Sequence, residues 1–247
     1  MKRIKCVISY DGSDFAGFQI QPKQRTVQGE LEKGLTKIHK GTFIRIHPSG
    51  RTDAGVHAIR QVFHFDTFLD LQASNWRQAL NTVLPDDLLV KEANIVDSTF
   101  HARYSALEKE YRYYVLNHAE KDVFNRYYVY QFSYPLSLES MQKACEYFTG
   151  THDFTTFSSA KATIKGSKIR TLTHAFCHMN NGKVEFIFRG DGFLYNMVRI
   201  MVGALLDIGQ GRRNPEDILE LLEQKDRRLL GKTAPPQGLY LWDVKYE

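Results

Sequence analysis

Hydrophobic and polar residues alternate in several short segments of the first hundred positions, and this period of two predicts β-strands. Between them, hydrophobic residues recur every three or four positions, which predicts an amphipathic helix that begins after Thr26 and ends near His39. A second helix is expected after Ser74 as its cap, with its end at Pro85. The predicted strands are residues 4–10, 43–47, 60–66 and 88–96. The resulting order, β-α-β-β-α-β, is that of a ferredoxin-like unit.

The rest of the chain repeats this order more loosely. Ser137 is expected to cap a helix, and Asn214 and Pro215 have the residue types that open another one. The predicted strands here are residues 110–116, 170–178 and 183–189, and the terminal segment GLYLWDVKY. The strand EYRYYVL places Tyr111 and Tyr113 on the face opposite to their neighbours.

The fold class predicted from these elements is α+β. Two ferredoxin-like halves are expected, with largely antiparallel sheets that form a central cleft. Residues 1–104 form the predicted N-terminal half, which carries Asp53, and residues 105–247 form the predicted C-terminal half, with the junction near 97–107.

One long segment, Phe193–Ile208, is apolar almost all round and is therefore predicted to be a buried helix. Arg199 lies in the middle of this segment. A buried guanidinium keeps its proton, so it needs an acidic partner or an anionic ligand. No acid lies three or four residues away, and Asp207 does not face it closely. The partner therefore comes from elsewhere in the fold, unless Arg199 extends to solvent.

The segment GRTDAGVHA, Gly50 to Ala58, places Asp53 among small residues. Asp followed by Ala and Gly is also common in turns, so the motif alone decides nothing. If the two halves pack face to face, Asp53 is a candidate partner for Arg199. A carboxylate beside an arginine stays ionised at neutral pH and can act as a nucleophile or base. Gly50 and Gly55 would allow a substrate to approach the backbone closely.

Composition and charge narrow the class of protein. The chain has 247 residues, 43% of them hydrophobic, and a net charge of +5 with a pI near 9.0, which is compatible with a polyanionic partner without requiring one. Its three scattered cysteines favour neither a disulfide framework nor a zinc site and suit a reducing cytoplasm. No histidine spacing fits a metal site, and no apolar run is long enough to span a membrane. We therefore expect a cytoplasmic protein without metal, cofactor or membrane.

Basic residues crowd one polar stretch that contains Lys161, Lys165 and Lys168. Each lysine by itself fits a solvated face. As a set, together with the arginine pairs around the Asn214 helix, they fit contacts with RNA phosphates.

These segments resemble one family. GRTDAGVHA resembles the signature of tRNA pseudouridine synthase A, and other blocks match this family in order along nearly the whole chain. They are YDGSDFAGFQIQP, RTVQGELEKGL, FHARYSALEKEYRYYV, HDFTTFSS, FLYNMVRIMVG and GLYLWDVKY. Two positions depart from the family, because Phe18 stands where it often has Trp and Asn196 where it often has His.

The resemblance implies roles for individual residues. Asp53 matches the essential catalytic aspartate, Tyr111 the tyrosine that lies against the target base, and Arg199 the arginine that pairs with the aspartate. Arg51 matches an arginine that handles the flipped nucleotide. The implied activity is cofactor-independent conversion of uridine to pseudouridine at positions 38, 39 and 40 of the tRNA anticodon stem-loop, by a homodimer. The carboxylate could attack C1′ or deprotonate C2′, and the resemblance leaves both mechanisms open.

Two other functions remain to be weighed against this one. A non-catalytic ferredoxin-like RNA-binding module needs a basic, aromatic sheet face but neither Asp53 nor a buried Arg199. A small-molecule hydrolase could use the same acid, although the chain offers no second placed acid or nucleophile for it.

Overall fold

The computed structural model describes residues 1–159 and 166–246, which form two compact units. The first unit comprises residues 1–107 and 240–247, and the second comprises residues 108–239. Both are α+β with largely antiparallel strands, so the predicted fold class is confirmed.

The first unit is a sheet with two helices. Its elements are β1 (Lys2–Tyr10), α1 (Val27–Ile38), β2 (His47–Pro48), β3 (His57–Thr67), α2 (Ala73–Val83), β4 (Leu88–Val96) and β10 (Leu239–Lys245). Strand β1 pairs in antiparallel fashion with β3 on one side and β4 on the other. On its other edge β3 pairs antiparallel with β2 and parallel with β10.

Helix α1 forms where the sequence predicts it. The Thr26 side chain accepts a hydrogen bond from the backbone N–H of Gly29, which satisfies one of the unpaired donors at the helix start. Leu31 and Leu35 on its apolar face are fully buried. The cap stabilises the start of the helix, and the buried face places these leucines in the core of the unit.

Two local predictions in this unit are wrong. Residues 43–47 do not form a strand, and only His47 and Pro48 pair with β3. The backbone N–H of Ile46 donates to the carboxylate of Glu32 instead of to a neighbouring strand, so alternation there does not extend the sheet. Ser74 does not cap α2, because the helix already begins at Ala73 after Gln72 and has no side-chain cap.

In the described part of the second unit, four main strands combine with three helices. Its elements are β5 (Glu108–Leu116), β6 (Tyr130–Gln131), α3 (Leu138–Glu146), β7 (Gly150–Asp153), β8 (Ile169–Asn180), β9 (Lys183–Gly190), α4 (Met197–Gly209) and α5 (Asp217–Gln224). The antiparallel order is β5-β9-β8-β7, with β6 parallel to β5. Ser137 caps α3 as predicted, because its side chain accepts from the N–H of Ser140.

Two helix starts differ from the sequence-based prediction. Helix α4 begins at Met197, not at Phe193, because Asn196 adopts a left-handed conformation with φ 61° that ends the preceding loop. Helix α5 begins at Asp217 rather than beside Asn214. The residues between Asn214 and Asp217 form a turn, in which the Asn214 N–H donates to the Asp217 carboxylate.

The boundary between the two units also differs from the predicted boundary between the halves. The sequence assigns all of residues 105–247 to the second half, whereas β10 belongs to the first unit. The reason is the parallel pairing of Tyr240 and Leu241 with His57 and Ala58 of β3.

The buried histidine of β3 makes the stability of the first unit depend on pH. His64 is 2% exposed, and its Nδ1 accepts a hydrogen bond from the backbone N–H of Ala102. Burial, with the nearby His101, Arg3 and His47, lowers the pKa of His64 from 6.5 to about 4. Protonation is therefore easier in the unfolded chain than in the folded one.

We expect the free energy of unfolding to be fully present above about pH 6.5 and to decline as the pH falls from there towards 4. Urea unfolding at pH 7.5 and at pH 5 measures the effect. His64→Asn, which cannot titrate, should reduce the difference between the two pH values, although it lowers stability at both. An equal loss in the variant and the wild type would contradict this role of His64.

Candidate active site

The segment that carries Asp53, residues 50–56, is called the signature loop below. A second loop, residues 11–18, hydrogen-bonds to it through the backbone. The N–H of Phe18 donates to the carbonyl of Thr52 at 3.0 Å, and the N–H of Gly55 donates to the carbonyl of Phe15 at 3.3 Å. The backbone is therefore held on both sides of the half-buried Asp53.

Side chains from β1 and β3 also form hydrogen bonds with the signature loop. The hydroxyls of Tyr10 and Thr52 are 2.8 Å apart, and both residues are buried. The buried Gln61 donates from its amide to the carbonyl of Gly50 at 3.0 Å. These bonds fix the first residues of the signature loop. Breaking them would leave a buried amide or hydroxyl without a partner, which costs free energy.

Two glycines let the loops come this close. A Cβ on Gly12 would lie 2.1 Å from the carbonyl oxygen of Val56, which no side chain tolerates. Gly17 has φ +100°, and a Cβ there would lie 3.0 Å from the carbonyl oxygen of Thr52. Gly55 itself has φ 75°, as the turn after Asp53 requires. The block DGSDFAG contains Gly12 and Gly17, but its pattern alone does not indicate that they are needed.

His57, the first residue of β3, follows the signature loop directly and contacts the second loop. Its Nδ1 accepts from the N–H of Gly12 at 3.0 Å, and it also lies 3.2 Å from a carboxylate oxygen of Asp11. The imidazole is 2% exposed and stacks on the ring of Tyr240 with centroids 4.7 Å apart. His57 is therefore a positioning residue of the loop, where the motif alone indicates no role.

In the second unit, Tyr111 lies on β5 and is 9% exposed. The ring of Phe193 packs edge-on against it, with centroids 4.9 Å apart. Tyr113 points to the same face and is fully buried, and its hydroxyl donates to the carbonyl of Pro235 at 2.7 Å. The faces of β5 agree with the predicted alternation.

The opposite face of this sheet carries a charged network. Arg112 donates to Glu110 at 2.6 Å and to Glu185 at 2.8 Å, while Arg189 donates to Glu110 at 2.7 Å. The two carboxylates are almost fully buried. Although burial opposes it, hydrogen bonds from Asn180 and Arg112 help to hold the pKa of Glu185 below its ordinary value. The cations of this face are consequently neutralised within the sheet.

Arg199 occupies the first turn of α4 rather than the middle of a helix, and it is half-buried. Positive charge is disfavoured at a helix N-terminus, so the guanidinium needs compensating acceptors. Its Nε donates to the carbonyl of Ala234 at 2.7 Å, and its Nη1 donates to the side-chain oxygen of Asn196 at 2.9 Å. The apolar pattern around Arg199 predicts an acidic partner, an anionic ligand or exposure to solvent, and gives no sign of this neutral partner three residues earlier.

The segment that receives Arg199 is itself held against α4. The N–H of Ala234 donates back to the carbonyl of Arg199 at 3.0 Å. A Cβ on Gly203 would lie 2.3 Å from the carbonyl oxygen of Lys232, so a glycine is needed one turn further along the helix. Two hydrogen bonds between Arg199 and Ala234, one from the side chain and one to the backbone, therefore hold the guanidinium in place.

The remaining predicted site residues are distributed as follows. Arg51 belongs to the signature loop and is exposed, and Lys168 lies beside β8 and is half-buried. Lys161 and Lys165 lie outside the described residues. The arginines around α5 contact their own unit: Arg212 pairs with Asp207, and Arg228 pairs with Asp226 at 2.7 Å.

Asp53 and Arg51 lie in the first unit, whereas Tyr111 and Arg199 lie in the second. The pairing of Asp53 with Arg199 stays a prediction. Within residues 1–159 and 166–246, no group of three His, Cys, Asp or Glu side chains is placed to hold a metal ion. Nor does this described part contain a helix long and apolar enough to cross a membrane.

Comparison with known proteins identifies the family. The family model described as tRNA pseudouridine synthase matches residues 6–105 and 144–247. The tRNA pseudouridine synthase A of Oceanobacillus iheyensis is 61% identical over 247 residues, which are all of this chain and 98% of that protein. Those of Geobacillus sp. strain WCH70 and Geobacillus kaustophilus are each 55% identical over 246 residues, and the matches cover 99% and 95% of their own lengths.

The chain belongs to the tRNA pseudouridine synthase A family. Members of this family are isomerases that convert uridine to pseudouridine in tRNA. Both the predicted family and the predicted enzyme class are therefore confirmed.

The contact between Arg199 and Asn196 leads to a prediction for this isomerase. Asn196 has φ 61°, a conformation that glycine also adopts, so Asn196→Gly keeps the backbone and removes only the acceptor. We expect kcat for pseudouridine formation to fall by about tenfold to a hundredfold, because the guanidinium is no longer oriented. The KM for tRNA should change little, and the unfolding free energy should fall by no more than about 2 kcal/mol.

Asn181→Gly is the matched control, since Asn181 has φ 48° in the turn between β8 and β9. Its kcat should equal that of the wild type. Equal kcat values for the two variants would show that turnover does not depend on the contact between Asn196 and Arg199.

Proposed function

We propose that this isomerase acts on uridines of the tRNA anticodon stem-loop, with Asp53 as its catalytic carboxylate. The observation that carries the proposal is the signature loop, whose backbone is hydrogen-bonded on both sides of Asp53 and whose close contacts demand glycine at positions 12 and 17. A loop built this tightly around one acid is suited to chemistry at a fixed point.

The reaction needs little beyond a placed carboxylate. The N1–C1′ bond of uridine breaks, the detached uracil turns, and C5 bonds to C1′. The proton leaves C5 and N1 gains one, so no atom or electron is added. Asp53 would either attack C1′ and be displaced again, or take a proton from C2′ and return it. In either case the carboxylate must be ionised when the bond breaks.

Tyr111 would receive the uracil after it leaves the base stack. Flipping costs a few kcal/mol, and stacking on an aromatic ring can offset about 1–3 kcal/mol of that. The ring of Tyr111 is held by the edge of Phe193, so little conformational freedom is lost on binding. Its oxygen is proposed to accept the C5 proton in the last step as the phenolate, which the positive charge of Arg199 would favour. A phenylalanine cannot do this.

Arg199 would pair with Asp53 in the assembled site. Support comes from two groups that accept its hydrogen bonds, the Ala234 carbonyl and the Asn196 side chain, because both are neutral. These bonds orient the guanidinium without cancelling its positive charge, and that charge would stabilise an ionised carboxylate. Arg199→Lys retains a positive charge at this position and Arg199→Met does not, so Arg199→Met should impair activity more than Arg199→Lys.

The remaining contacts concern the bulk of the tRNA. Arg51 is proposed to hold the flipped nucleotide, and Lys161, Lys165 and Lys168 are proposed to contact phosphates. We also propose a cytoplasmic homodimer whose two subunits share one tRNA, as the family resemblance implies. Binding by such contacts weakens steeply with salt, because each one releases a counterion.

Asp53→Asn tests the catalytic assignment. The amide preserves the shape of the side chain, so the fold and the affinity for tRNA should be retained. We expect kcat to fall by about a hundredfold or more, because the amide neither attacks C1′ nor takes a proton. Release of tritium from tRNA labelled at C5 of uracil measures turnover. If Asp53→Asn forms product at even about a tenth of the wild-type rate, well above the expected residual rate, Asp53 is not the catalytic group.

Tyr111→Phe separates the ring from the hydroxyl. The variant should fold, bind tRNA and flip the base, because the stacking surface is retained. It should nevertheless fail to release tritium from C5 at a useful rate, whereas Tyr111→Ala should also lose affinity. Wild-type turnover by Tyr111→Phe would show that the ring is only a platform and that another group accepts the proton.

A further inference from the structure

We propose that a stripe of rings and arginines on the first unit binds an unpaired nucleotide of the tRNA, through residues that are not part of the signature loop. The ring stripe consists of Phe43, Arg45, His47, His101, Arg103 and Tyr104. The proposal rests on the tRNA substrate of the proposed function, but on none of its catalytic residues.

One end of the ring stripe comes from the segment that was wrongly predicted as a strand. Phe43, Arg45 and His47 are exposed, whereas Ile46 between them is buried. The guanidinium of Arg45 lies 5.3 Å from the ring centroid of Phe43, within cation–π range. The alternating residues Phe43, Arg45 and His47 therefore face solvent, and residues 43–47 do not form a strand of the sheet.

The other end follows β4. The rings of His101 and Tyr104 lie 4.4 Å apart at an angle of 33°, and the guanidinium of Arg103 lies 5.8 Å from the Tyr104 ring. His101 is also 5.8 Å from His47, so the two ends form one surface. Tyr104 is 77% exposed, so most of its ring surface is available for a further ring.

Tyr104 is held in this position by a tight turn. The N–H of Ser105 donates to the carbonyl of His101 at 2.9 Å, and the N–H of Arg103 donates to Nδ1 of His101 at 3.1 Å. The neighbouring Ala102 is fully buried and bonded to His64. A ring presented on a fixed backbone loses little entropy when it binds, in contrast to an exposed side chain on a loose loop.

The charge of the ring stripe favours RNA over a protein partner. Its two permanently charged residues are both arginines, and the acid paired with Arg45 at 3.7 Å, Glu32, is only 3% exposed. The surface therefore presents cations and π-faces without an exposed carboxylate of its own. Rings that stack on bases and arginines that meet phosphates are the combination found at single-stranded RNA sites.

The test measures tRNA affinity by filter binding and turnover by tritium release for Tyr104→Ala and Tyr104→Trp. Removal of one base stack predicts that Tyr104→Ala raises the Kd at least about fivefold, with kcat at saturating tRNA within about twofold of wild type. Tyr104→Trp should retain affinity. Phe68→Ala is the matched control, because Phe68 is an 86% exposed ring of the same unit outside the stripe, and its Kd should not change.

A second variant examines the charges independently of the ring. Arg103→Gln should reduce the slope of log Kd against log salt by about one, because one arginine no longer neutralises a phosphate. Glutamine retains much of the length of the side chain, and Arg103 is exposed, so the fold should be unaffected. Arg45 is left in place because it is the ion-pair partner of the nearly buried Glu32.

A Tyr104→Ala variant that binds tRNA as Phe68→Ala does, or an unchanged salt slope in the arginine variant, would overturn the proposal. A change in sedimentation with unchanged tRNA affinity would also overturn it, and would assign the stripe to a contact between protein copies. These outcomes leave the proposed function intact as long as the wild type releases tritium. A wild type that binds tRNA but releases none would instead refute the proposed function.

Discussion

The contact on which the candidate site depends is the backbone clamp between residues 11–18 and the signature loop. A carboxylate acts at a fixed point only if its own backbone is fixed, and here no side chain could be inserted between the two loops. The 2.1 Å that would separate a Cβ on Gly12 from the Val56 carbonyl leaves no room for any other residue. The N–H of Gly12 also donates to His57, the first residue of β3, so the clamp is bonded to the sheet of its unit.

In the second unit the corresponding constraint is electrostatic. Arg199 stands at the helix end where the macrodipole disfavours a cation. Two neutral acceptors from different directions satisfy part of the guanidinium without cancelling its charge. An acidic residue at position 196 would have satisfied it equally well but would have neutralised it. The departure from the family at Asn196 is therefore compatible with a guanidinium that keeps its charge for another partner.

Strand β5 shows how one sheet separates two kinds of environment. Tyr111 and Tyr113 face apolar packing, while Arg112 faces Glu110 and Glu185 on the opposite side. Because both carboxylates are buried with their arginines, that face has little net charge to attract RNA. The exposed cations and rings of the first unit contrast with it, which is why the proposed RNA contact lies on the ring stripe and not on the sheet of the second unit.

Local sequence patterns were sufficient to predict many of the helices and strands of this protein. Helices α1 and α3, with their caps Thr26 and Ser137, and the strands β1, β4 and β9 follow from periodicity and capping, because these depend on neighbours within a few positions. The motif around Asp53 and the apolar segment around Arg199 likewise singled out the candidate residues. Only the folded chain decided where Phe43 to His47 and the last strand belong, since hydrogen-bond partners distant in sequence determine both. It also decided how Arg199 is held, because the Ala234 carbonyl reaches it from 35 positions away, a distance that no local pattern records.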